Sequence, residues 1–187
     1  MENDKFTIQI GDVLVLQNKN PLSWLIRIFT RSDYSHTEVF IGEKYTVGSA
    51  IAGVRKVEFD PGDKKYAVMR HKKLLNGLSQ EDKDYLLNRI NSKIGTKYDF
   101  KFTFLYQPSK QFTYRWLKVN PDKFRKTKFY KKIIKPIKRL LDVGTFLADD
   151  KFACSEYTGW VLKLKRWDTL SPQDVFEHQE LVKMFVV

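Results

Sequence analysis

A single cysteine, Cys154, in 187 residues leaves no partner for an internal disulfide and no basis for a Cys-rich zinc site. Histidine is nearly as scarce: His36, His71 and His178 are scattered and no HExxH motif occurs, so no metal-ligand set is legible and no cofactor is expected. The opening MENDKFTIQIGD lacks the positive n-region and apolar h-region of a signal peptide. No apolar run approaches the ~20 residues of a membrane span. The expectation is a soluble chain made in the cytoplasm, with peripheral membrane association left open. There is no internal repeat.

Hydrophobic residues make up 42% of the chain and aromatics 14%, enough for a globular core, and the length reads as one domain over 1–187. The net charge of +12 is unevenly placed. Between Lys110 and Leu141 stand twelve Lys and Arg against one Asp, Asp122, which accounts for +11 of it.

The pattern predicts an α+β fold, an antiparallel sheet of about five or six strands packed against helices. VLVLQ (13–17) reads as a buried strand. Asn20 and Pro21 read as N-cap and first residue of a helix with an apolar stripe of Leu22, Leu25, Ile26 and Phe29. SHTEVFIG, KYTVGSA, GVRKVEF and KYAVMRH follow as strands, with Gly48 and Gly53 expected at a bulge and a turn. Ser79 opens a capping-box-like helix with Leu86, Leu87, Ile90 and Ile94 on one face, ended by Gly95. YDFKFTF (98–104) is expected to be extended. A helix from about 152 to 164 carries Cys154 near its start, and Ser171-Pro172 opens a last short helix taken to include His178.

A lone cysteine is either a small buried hydrophobe or a reactive thiol. Here it falls in the first turn of a helix, where backbone N–H groups and the helix dipole favour thiolate and can stabilise an oxyanion. His36, at the start of a strand and on the same face as Glu38, is the best placed base. Cys and His delivered in this way form a papain-type arrangement.

The stretches GDVLVL, LSWLIRIFTRSDYSHTEVFIG, GVRKVEF, IGTKYDFKF, ACSEYTGWVLK and LSPQDVFE, in that order, resemble the circularly permuted branch of the NlpC-type papain-fold hydrolases. This is the YiiX/YaeF-like group, with lecithin retinol acyltransferase a more distant relative. The resemblance covers roughly 11–106 and 152–176 and implies a permuted papain-like fold with Cys154 as nucleophile and His36 as general base. The relatives' third group, often Glu on the strand after the histidine strand, falls here at Gly48 or Ser49. Ser49 and Glu38 are therefore both candidates to orient the imidazole. Tyr34, Ser35 and Tyr98 are candidates for the substrate cleft, although turn chemistry accounts equally for Tyr34 and Ser35. Glu156 is expected to point away from the thiol.

Against shorter relatives, 107–151 reads as a basic amphipathic insertion. It packs on the domain, lies on an anionic membrane, or holds another polyanion; no specific nucleic acid is expected. The leading expectation is a cysteine hydrolase (amidase or peptidase-like, or acyl-transferring) that acts on a cell-wall peptide, an N-acyl compound or a lipid ester. The alternative is a catalytically weakened binding module that docks on an anionic surface through its basic arm.

Overall fold

The computed structural model describes residues 7–30, 32–60, 62, 65–100, 103, 104, 107 and 151–186. The expected basic insertion, apart from its end residues Gln107 and Lys151, lies outside the described residues. The fold is α+β. Strands β1 (Val13–Gln17), β2 (His36–Gly42), β3 (Tyr45–Ala50), β4 (Gly53–Glu58), β5 (Lys65–His71) and β8 (Leu181–Val186) form a six-stranded sheet in the order β4-β3-β2-β1-β5-β8, with all neighbours antiparallel. A separate parallel pair joins β6 (Lys97–Tyr98) to β7 (Lys151–Phe152). The helices are α1 (Pro21–Thr30), α2 (Gln80–Asn91), α3 (Cys154–Val161) and α4 (Pro172–Phe176).

β1 is apolar at every position from 13 to 16 because both its faces are covered. Val13 and Val15 join Ala67, Met69, Leu164, Leu170, Val175 and Leu181 on one face, while Leu14 and Leu16 pack with Tyr66 and Val68 on the other. A second part of the core sets Val39, Val47 and Val54 against Leu86 and Ile90 of α2 and Tyr157 and Val161 of α3. The helix starts follow capping chemistry. Asn20 Oδ1 accepts the Ser23 N–H at 2.7 Å, Ser79 Oγ accepts the Asp82 N–H at 3.1 Å, and Ser171 and Asp174 form a reciprocal box around Pro172.

Several expectations are corrected. Gly48 marks no bulge: it pairs regularly with Arg55, and the irregularity lies in β2 between Phe40 and Gly42. Gly53 does sit at the β3–β4 turn, at φ +92°, where a Cβ would run into the Thr96 carbonyl. Among the described residues of 98–104, only Tyr98 lies in a strand. Helical backbone begins at Phe100, and the Thr103 N–H bonds the Asp99 carbonyl. The sixth strand is instead β8, whose LVKMFV sequence is β-branched and aromatic enough to add to β5. His178 lies beyond the end of α4. The α1 helix forms where the stripe implied it, and among its described side chains Ser23 and Thr30 are buried, Leu22 and Ile26 half-buried and Leu25 exposed.

Under the sheet, Arg70 donates from Nε and a terminal nitrogen to the two Asp12 oxygens, each at 2.7 Å, and both side chains are buried. Asp12 also accepts the Gln9 N–H at 2.8 Å. Breaking such a pair leaves a buried uncompensated charge, so Asp12→Ala is expected to cost about 3–5 kcal/mol, read as a lowered urea midpoint at unchanged slope.

Candidate active site

Cys154 is the first residue of α3, preceded by Ala153 in extended conformation. The helix is held over β2 by a buried hydrogen bond between the Thr37 and Thr158 hydroxyls, 2.9 Å apart. Stepping back one residue from Thr37 gives His36, and stepping back one turn from Thr158 gives Cys154. The imidazole and thiol are near enough there to act on each other's ionisation, with the Thr37 and Ser155 backbone N–H groups also favouring the thiolate. His36 Nε2 stands 3.1 Å from Glu38 Oε1.

The electrostatics favour an ion pair. Burial pushes the His36 pKa down, but the hydrogen bond and charge of Cys154, and then those of Glu38, outweigh it and raise it to about 10. Burial also works against the thiolate, yet the His36 charge and hydrogen bond, with the two backbone N–H groups, hold the Cys154 pKa below its ordinary value. Cys154 is 5% exposed. A cavity of about 520 Å³ reaches the pair through His36 and Glu38, with Leu22, Ile26, Ile51, Arg55, Ser35, Ser49 and Tyr98 among its walls.

Of the two candidate orienting groups, Glu38 meets the imidazole. Ser49 is buried and donates its proton to the Phe152 carbonyl, and so ties β3 to the chain entering α3. Thr46, which sequence reasoning passed over, donates to Glu38 Oε2 at 2.6 Å and fixes the carboxylate. Its only signal is a β3 hydroxyl on the strand beside β2. Gly48 explains why the carboxylate fits: a Cβ there would lie 2.8 Å from Glu38 Cγ. Gly48 thus leaves on β3 the space that the Glu38 side chain, arriving from β2, occupies.

Tyr34 is corrected as a cleft residue. It is buried in the core with its ring 4.8 Å from Phe176. Ser35 lines the cavity but is occupied with turn chemistry: its hydroxyl bonds Ser23 Oγ at 2.9 Å and the Leu16 carbonyl, and accepts the Asn18 N–H. Tyr98 also lines the cavity, with its hydroxyl 2.8 Å from Thr103 Oγ1. Burial, with the Cys154 charge second, pushes the Tyr98 pKa up, so the phenol is neutral. Glu156 does not point to solvent. It is buried and accepts the Ala153 N–H at 2.9 Å, and burial holds its pKa well above the usual carboxylate range. His71 and His178 are engaged elsewhere: His71 Nδ1 accepts the Lys73 N–H, and His178 stands 3.7 Å from Glu180.

This arrangement makes the histidine titration a direct probe of Glu38. In Glu38→Gln the His36 pKa is expected to fall from about 10, because one of the two charges that raise it is gone. Gly48→Ala is expected to move it in the same direction by displacing the carboxylate. NMR titration of the His36 ring checks both, with Thr46→Val as a milder version.

No protein-family model matches this chain, and no curated protein matches it. Among solved structures it is similar to YiiX from Escherichia coli O157:H7, described as a metalloprotein of DUF1105, with a TM-score of 0.51 and 18% identity over 97% of this chain and 99% of that one. A metal does not fit the described residues. His36 and Glu38 are spent on each other and on Cys154, and among the described residues no three His, Cys, Asp or Glu side chains converge as ligands. At that identity the likeness speaks to fold: the chain shares over its length the α+β architecture of the YiiX structure, consistent with a papain-like fold.

Proposed function

We propose that the protein is a cysteine hydrolase in which Cys154 is the nucleophile, His36 the acid–base and Glu38 the orienting carboxylate. The observation that carries this reading is the enclosed thiol–imidazole contact backed by a hydrogen-bonded carboxylate. The Cys154 thiolate attacks an amide or ester carbonyl, forming a C–S bond, and the carbonyl electrons move to oxygen. N–H groups of the first turn of α3 are placed to stabilise that oxyanion. The intermediate collapses, the C–N or C–O bond breaks, and imidazolium protonates the leaving amine or alcohol. Neutral His36 then takes a proton from water, whose oxygen attacks the thioester and restores Cys154. Glu38 holds the ring in the tautomer and orientation these transfers need.

The mixed cavity, with Leu22, Ile26 and Ile51 beside Arg55, accommodates an acyl or peptide group carrying an anion. A cell-wall peptide, an N-acyl compound and a lipid ester all meet that description, as the resemblance to permuted NlpC-type enzymes and lecithin retinol acyltransferase implies. The reading as a weakened binding module rested on the missing carboxylate near Ser49. Glu38 supplies that carboxylate from the neighbouring strand, which supports an active enzyme.

Cys154→Ala is expected to abolish turnover of peptide and acyl-ester substrates with the thermal midpoint nearly unchanged; retained turnover would sink the assignment. Glu38→Gln should lower kcat by about 10²–10⁴-fold. The pH profile follows from the two shifts. Activity rises with pH through the depressed thiol pKa and falls as pH climbs through about 10, where His36 loses the proton needed by the leaving group. Alkylation by iodoacetamide should proceed well below the ~8.5 of a free thiol. It should lose that advantage in His36→Ala, where burial alone acts on the sulfur.

A further inference from the structure

α1 is built inside out. Its buried side carries Ser23 and Thr30, while Trp24 (56% exposed), Leu25 (37%) and Ile28 (49%) point outward. At 100° per residue, 24, 25 and 28 lie within one sector, and Pro21 completes it. The helix PLSWLIRIFT has one charged residue, Arg27, and no acid. A neighbouring apolar residue, Ile51 at the β3–β4 turn, is 60% exposed and shares the cavity with Leu22 and Ile26 of α1. Water is a poor solvent for such a face.

We propose that α1 is an interfacial membrane-docking helix, which lays Trp24, Leu25 and Ile28 into the headgroup–acyl boundary of an anionic bilayer. The residue types fit: a short apolar face with an aromatic amphipathic ring is what enters that boundary. The charge selects the partner. Lys19 and Arg27 flank the face and the helix carries no acid, so the local charge draws it to anionic lipid, whereas a second copy of the helix would bring like charges together. Among the described residues no helix is long and apolar enough to cross a membrane, so α1 lies on the surface. Because α1 is also a wall of the cavity, docking sets the cavity mouth beside the lipid. The inference does not rest on the catalytic reading, and Cys154→Ala should dock like the parent chain.

The test is sedimentation of the full chain with vesicles of phosphatidylcholine containing about one-third phosphatidylglycerol, and with brominated lipid as a tryptophan quencher. Binding to the anionic vesicles, weakening about tenfold in Ile28→Asp, and quenching that is lost in Trp24→Phe are the expected results. Quenching that persists in Trp24→Phe would overturn the proposal, because one of the other three tryptophans, Trp116, Trp160 or Trp167, would then be the inserting residue. Absence of vesicle binding would also overturn it. Sedimentation equilibrium would then tell a dimer dispersed by Ile28→Asp from a monomer that covers the face with its own chain. Unchanged circular dichroism and thermal midpoint guard against misreading an unfolded variant.

Discussion

The buried Thr37–Thr158 hydroxyl pair sets where helix and strand meet, and the site depends on that register. Both hydroxyls are out of water, so each needs the other, and sliding α3 by one residue along β2 would leave two unsatisfied groups at a cost of about 1–3 kcal/mol each. The same contact therefore fixes the distance between the first residue of a strand and the first residue of a helix. Ser49 and Ser155 reinforce it by bonding the Phe152 and Leu170 carbonyls on either side of the helix start. Four small hydroxyls, none of them chemical participants, hold the reacting pair in place.

Around that register the charges are sorted by burial. His36 and Cys154 support each other's charged forms, and Glu38 adds to the imidazolium. Glu156 sits two residues from the thiol in the same helix, and a second ionised carboxylate there would repel the thiolate. Its burial pushes its pKa up and so disfavours that second charge. The site thus sets one carboxylate against histidine and buries the other at the helix start, a division made by environment and not by residue type.

Much of this was legible from residue order. Asn20-Pro21, Ser79 and Ser171-Pro172 announced three helices through capping chemistry that acts locally, while the strand at 13–17 announced itself by a continuous apolar run and the one at 36–42 by alternation. Cys154 at a helix start and His36 at a strand start were readable as a pair because each lies at an element end. What escaped depends on neighbours distant in the chain. Gly48 looked like backbone punctuation, yet its role is the space it leaves for Glu38. Thr46 carries no motif. The stripe Leu22, Leu25, Ile26 gave a correct helical period, but periodicity does not tell which side the protein lies on. The aromatic run after Tyr98 alternates like a strand, yet Phe100, Thr103 and Phe104 are helical, with the Thr103 N–H on the Asp99 carbonyl.

The two-residue parallel pair β6–β7 has a consequence for the chain's architecture. Lys97 lies opposite Lys151 and Tyr98 opposite Phe152, so the backbone leaves and returns at neighbouring points, about 5 Å apart as adjacent strands are. The entropy of closing such a loop grows only as the logarithm of its length, roughly 0.6 kcal/mol for each doubling. The junction therefore works as a socket: segments of very different size or charge can be exchanged there while the strand ends that lead into Cys154 stay clasped.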